Sequence, residues 1–169
     1  MLAAGGIVDG AALVAAFALG AEGVQMGTRF VCAAECTVNE AVKEKFIKSG
    51  DRATVVTARA VGYPVRAIKN KLAGIYAERE KDFLLGRCTA EDVESMGLGK
   101  LREAMREGNV KDGSMMAGQV VDLFDRIQPA SWLIAGHLHK ANTVAPELPT
   151  SLVRGRARAC PNGGCWFAD

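Results

Sequence analysis

The chain has 169 residues, 49% of them hydrophobic and 24% charged, which is enough for one domain with a sizeable core. Its 21 basic and 19 acidic side chains leave a formal net charge of +2, far from the strongly basic footprint of a general nucleic-acid binder, so no nucleic-acid partner is expected. The longest apolar stretch, Ala11 to Gly27, is broken by Gly20, Glu22 and Gly23 and falls short of the roughly 20 residues of a membrane span, so no membrane role is expected either.

In chain order the pattern alternates strand and helix. Met1 to Ala4 reads as the end of a strand, and "DGAALVAAFALG" as a helix with Asp9 as N-cap and Gly20 at its exit. "GVQMG" reads as a second strand. "NEAVKEKFIKSG" puts Val42, Phe46 and Ile47 on one helical face between Asn39 and Gly50. "ATVVTA" (Ala53 to Ala58) is a short strand or an extended loop. Pro64 then suits the first position of a helix running through "PVRAIKNKLAGIYAEREKDFL", where Val65, Ile68, Leu72 and Ile75 fall at helical spacing. Two further helices are expected, over 90–107 and 114–127, the second with Met116, Val120, Leu123 and Ile127 on one face. From Pro129 onward, where four of the five prolines and both histidines lie, no periodicity is evident. The expected division is therefore a domain over 1–128 and an irregular, poorly ordered tail over 129–169.

The glycine-rich turns carry the chemistry. "AAGGIVDG" and "GAEGVQMGTRF" lie one helix-length apart, each after a short apolar run. A strand–turn–helix unit with a Gly-Gly turn lets main-chain N–H groups approach an anion, and the following helix adds its positive N-terminus. Two such units in succession suit one phosphate. On spacing alone, tight turns with no ligand explain Gly5, Gly6 and Gly27 equally well.

Taken in order, "AAGGI", "GAEGVQMGTRF", "PVRAIKN" and "GSMMAGQ" resemble the C-terminal part of the flavin-dependent family that contains nitronate monooxygenase and enoyl-acyl-carrier-protein reductase II. The likeness runs from about Leu2 to Leu123, and "VRAIKN" and "MAGQ" look more like the enoyl reductase branch. The resemblance implies an α/β fold, the C-terminal portion of a (β/α)8 TIM barrel with added helices, binding FMN and using NAD(P)H as co-substrate. It places the flavin phosphate between the turn of Gly5 and Gly6 and the loop of Gln25, Met26, Gly27 and Thr28. Gly118 and Gln119 fall in a segment that approaches the cofactor in relatives, and Gln119 would hydrogen-bond the flavin or the substrate. An exposed first-turn helix residue is the plainer reading of Gln119.

Relatives begin upstream, with about six strand–helix units that hold the ring pocket and the catalytic histidine. His137 and His139 lie after the match, so no catalytic residue is assigned to this chain. The expectation is the C-terminal part of an enzyme acting on a small-molecule or acyl-carrier-bound substrate, with a homodimer or a complementing N-terminal half as partner. A non-catalytic phosphate-binding fragment is the alternative of a different class. Arg66 and Lys69 could attract an acidic carrier, although a solvated helix face is their commoner role.

The five cysteines, Cys32, Cys36, Cys88, Cys160 and Cys165, are odd in number and scattered, which suits reduced thiols in a cytoplasmic protein. Cys160, Cys165, His137 and His139 have the residue types of a zinc site. Their spacing is loose, with four residues between the two cysteines, so no metal is assigned.

Overall fold

The computed structural model describes residues 1–145. They divide into two compact units, the first built from residues 1–26, 33–36 and 128–145, the second from 27–32 and 37–127.

In the first unit, β1 (Leu2–Ala4) and β2 (Gly23–Gln25) pair in parallel, with Leu2 opposite Gly23, Ala3 opposite Val24 and Ala4 opposite Gln25. Parallel neighbours need a crossover, and α1 (Gly10–Ala18) provides it. Asp9 starts that helix as its sequence suggests: the carboxylate accepts from the Ala12 N–H at 3.0 Å, and Gly20 leaves the helix at φ +93°. Leu13 and Val14 are buried with Ala141 and Ala145, and Phe17 and Val24 pack against them.

Ala141 belongs to α7 (Ala130–Val144), a helix where the sequence suggests an irregular segment. Its buried residues, Leu133, His137 and Ala141, recur every four positions, so one stripe faces α1. Trp132, Ile134 and Leu138 stay exposed and blur the periodicity. Pro129 precedes the first turn, where a missing N–H costs nothing. The part of the expected tail beyond residue 145 lies outside the described residues.

The second unit opens with a one-turn helix, α2 (Thr28–Val31), and continues with α3 (Glu40–Ile47), capped by the Asn39 side chain at the Ala41 N–H. Val42 and Phe46 are fully buried, and α3 packs on a 3-10 turn at Gln119–Leu123.

Three helix expectations are corrected here. Val65–Ile68 is a strand, β4, antiparallel to β3 (Thr54–Thr57), and the helix that follows, α4 (Lys71–Leu84), starts only after it. The helical spacing of Val65 and Ile68 is coincidental, because the β-branched run of β3 offers a ladder that an isolated helical turn cannot match. The segment 90–107 forms two short helices, α5 (Ala90–Ser95) and α6 (Lys100–Met105), separated at Gly99, whose φ of +74° interrupts a right-handed helix. Over 114–127 only the 3-10 turn is helical. Met115 and Ala117 lie extended against β4, with the Ile68 N–H donating to the Met115 carbonyl at 2.9 Å and the Ala117 N–H to the Arg66 carbonyl at 3.2 Å. Met115 is therefore buried while Met116 and Leu123, expected on an inward face, are exposed.

Candidate cofactor site

The parallel register decides where the first group of candidates lies. Ala4 and Gln25 are opposite one another at the carboxyl ends of β1 and β2, so Gly5 and Gly6 leave one strand beside the point where Met26 leaves the other. The carboxyl edge of a parallel sheet is where α/β proteins gather their ligand loops. Gly5 and Gly6 take φ of +88° and +73°, a region that favours glycine, and a Cβ added to either would meet nothing within 4 Å. Their backbone is thus exposed to approach by an anion, as a phosphate site requires.

The end of α1 contributes less than the sequence suggests. Asp9 already places a carboxylate there, and Lys140 donates to it, with the ammonium hydrogen bond and the Ala12 N–H holding the Asp9 carboxyl below its ordinary pKa. The glycine amides, rather than the helix terminus, are the available donors.

The second group lies in the other unit. Gly27, at φ −90°, precedes α2, and a Cβ there would also meet nothing within 4 Å. The Thr28 Oγ1 accepts a hydrogen bond from the Gly118 N–H at 2.9 Å. A hydroxyl that accepts one bond still has its own hydrogen to give, which keeps Thr28 able to donate to a phosphate oxygen. The structure therefore brings two of the sequence-selected residues, Thr28 and Gly118, into direct contact. Gln119 follows at the start of the 3-10 turn, exposed.

Two residues beside this group carry no signal in the sequence. Arg29 is buried, its guanidinium carbon 5.2 Å from the centroid of the Phe124 ring, and its Nη1 donates to the Arg126 carbonyl at 3.4 Å. Burial draws the Arg29 pKa downward. Within "GTRF" nothing points to a partner so far along the chain. Asn70, inside the "VRAIKN" motif, is structural: it caps α4 at the Ala73 N–H and donates to the Val110 and Gly113 carbonyls at 3.0 and 2.7 Å. Arg66 sits on β4 rather than a helix and donates to Thr54 Oγ1 at 3.1 Å.

The zinc constellation is not assembled within the described residues. Cys160 and Cys165 lie outside them, and His137 is buried with Nε2 2.8 Å from the Val8 carbonyl and Nδ1 against the Leu133 carbonyl. His137 and His139 are helical, and two positions along a helix turn side chains apart.

This α/β fold, with its parallel pair and glycine turns, has relatives among known proteins. The family model described as nitronate monooxygenase matches residues 1–139, and the chain belongs to that family of flavin-dependent oxidoreductases. FabK from Thermotoga maritima superimposes with a TM-score of 0.78 at 41% identity, covering 87% of this chain and 45% of FabK. A probable nitronate monooxygenase of Staphylococcus saprophyticus is 34% identical over 145 residues, 85% of this chain and 39% of the relative. A (3aS,4S,5R,7aS)-5-hydroxy-7a-methyl-1-oxo-octahydro-1H-indene-4-carboxyl-CoA dehydrogenase of Mycobacterium tuberculosis is 30% identical over 167 residues, 79% of this chain and 47% of that protein. The chain thus spans less than half the length of these relatives. Among the described residues no helix is long and apolar enough to cross a membrane.

Proposed function

We propose that this chain is the phosphate-gripping part of an FMN-dependent, cytoplasmic oxidoreductase that reduces enoyl thioesters with NAD(P)H. The observation that carries the reading is the register of Ala4 against Gln25, which sets two ligand-loop turns side by side at the carboxyl ends of adjacent parallel strands. Bound flavin would supply the chemistry by accepting hydride from the nicotinamide and passing it to the substrate. The residues of this chain bind and orient. Gly5 and Gly6 present main-chain donors to the phosphate, and Gln25 and Met26 form the adjoining strand end. Gly27 leaves room for close approach, Thr28 gives its hydroxyl, and Gly118 and Gln119 offer polar contacts to the flavin or substrate.

The likeness to FabK, whose branch is enoyl-acyl-carrier-protein reductase II, together with "VRAIKN" and "MAGQ", favours the enoyl reading over oxidation of a nitronate. The family match and the staphylococcal relative favour the nitronate reading.

Residues 1–128 are proposed as the barrel portion, completed by further parallel strands from an N-terminal half or from a second copy. Leu2, 69% exposed on β1, marks apolar strand surface such strands would cover. The experiment compares NAD(P)H oxidation with FMN and an enoyl thioester against oxygen consumption with an alkyl nitronate, for the protein alone and with the N-terminal strand–helix units added in trans. Enoyl-dependent oxidation only in the mixture is the expected result. Turnover by this chain alone on the order of 1 to 1000 per second would show that its own residues complete the active site.

A further inference from the structure

Thr28 and Arg29 are consecutive residues of α2, and each holds one end of the same distant segment. Thr28 Oγ1 takes the Gly118 N–H at 2.9 Å, while Arg29 stacks on Phe124 with 5.2 Å from guanidinium carbon to ring centroid and donates to the Arg126 carbonyl at 3.4 Å. Between these anchors run Gln119 and the 3-10 turn.

Arg29 is 8% exposed and Phe124 2%. Burying a guanidinium costs desolvation that an apolar side chain of similar volume would avoid, so packing alone does not account for an arginine here. Its planar fork does two things that an aliphatic residue cannot. It lies over a ring face, and it donates along a fixed direction to a carbonyl.

We propose that Arg29 is a positioning residue for the cofactor site: with Thr28 it clips the segment Gly118–Arg126 at both ends, so that Gly118 and Gln119 are presented to the flavin in one arrangement. The inference rests on the flavin reading for its ligand, whereas the clip itself is independent of it.

The test uses wild type, Arg29→Met, Arg29→Lys and Phe124→Leu in the full chain. Hydrogen exchange without flavin reads the clip. Exchange over residues 118–126 should accelerate about tenfold or more in Arg29→Met and Phe124→Leu, the scale of one desolvated cation–π contact, while α4 stays at the wild-type rate. Arg29→Lys keeps the charge but loses the planar fork and should fall between. Titration with FMN reads the consequence. Affinity should drop roughly tenfold in Arg29→Met, and Gln119→Ala should weaken binding in wild type but add little in the Arg29→Met background, the non-additivity of a shared arrangement.

Unchanged exchange over 118–126, equal acceleration throughout α4, or wild-type FMN affinity in both Arg29→Met and Phe124→Leu overturns the proposal. Wild-type protein that takes up no FMN overturns the flavin reading instead, and the exchange data still decide whether the clip exists.

Discussion

Gly10 lies directly against the backbone of His137: a Cβ added there would run into the His137 carbonyl oxygen and come within 2.5 Å of the Ala141 nitrogen. The absence of a side chain at the first residue of α1 is what lets α7 approach so closely.

Gly10→Val should therefore force the two helices apart and cost about 1 to 3 kcal/mol, as overpacking of a tight contact does. Gly136, in the middle of α7, is the control, because a Cβ added there would meet nothing within 4 Å. Gly136→Ala should stabilise by about 0.5 to 1 kcal/mol through helix propensity. Opposite shifts in thermal melting check the pair, and a Gly10→Val protein as stable as wild type contradicts the packing described.

Asn70 separates capping from cross-bracing. Asp is as good an N-cap as Asn, yet a carboxylate cannot donate to the Val110 and Gly113 carbonyls that the Asn70 amide holds. Asn70→Asp should lose about 1 to 3 kcal/mol in denaturant unfolding despite its capping ability, because it sets a charge against two carbonyl oxygens. Wild-type stability would mean that the bracing bonds contribute nothing.

Acid should weaken the start of α1. The hydrogen bond from Lys140, followed by that from the Ala12 N–H, holds the Asp9 carboxyl below the 3.8 of an ordinary aspartate. A carboxyl with a lowered folded-state pKa contributes fully above its unfolded value, and that contribution is lost as pH falls through the folded value. Melting temperature should decline below about pH 4, and Asp9→Asn should decline less steeply over the same range. An NMR titration of Asp9 with its midpoint at or above 3.8 would refute the assignment.

The first half of the chain was legible because its elements carry their own punctuation. Asp9 and Asn39 cap helices, Gly20 ends one, and Val42 and Phe46 recur at helical spacing on a buried face. The hairpin was not legible, because the partner of Val65–Ile68 is β3, and cross-strand pairing leaves no trace in local periodicity. The extended run at Met115 depends in the same way on β4. At the site, Thr28 and Gly118 could be selected from motif and glycine content, but their bond spans ninety positions. Arg29 and Phe124 were invisible for the same reason, since a stack between distant residues has no sequence spacing to read.

The central claim is that the glycine turns receive a flavin phosphate, and a titration of the purified protein with FMN, followed by quenching of flavin fluorescence, tests it most directly. Gly27 is the discriminating position: at φ −90° and with open space around a Cβ, it tolerates a side chain in the fold, whereas Gly5 and Gly6 would be strained by one. Saturable binding by wild type, weakened about tenfold or more in a Gly27→Val protein of unchanged melting temperature, is the predicted result. Fluorescence unaffected by wild-type protein, or equal affinity in the folded Gly27→Val variant, would contradict it.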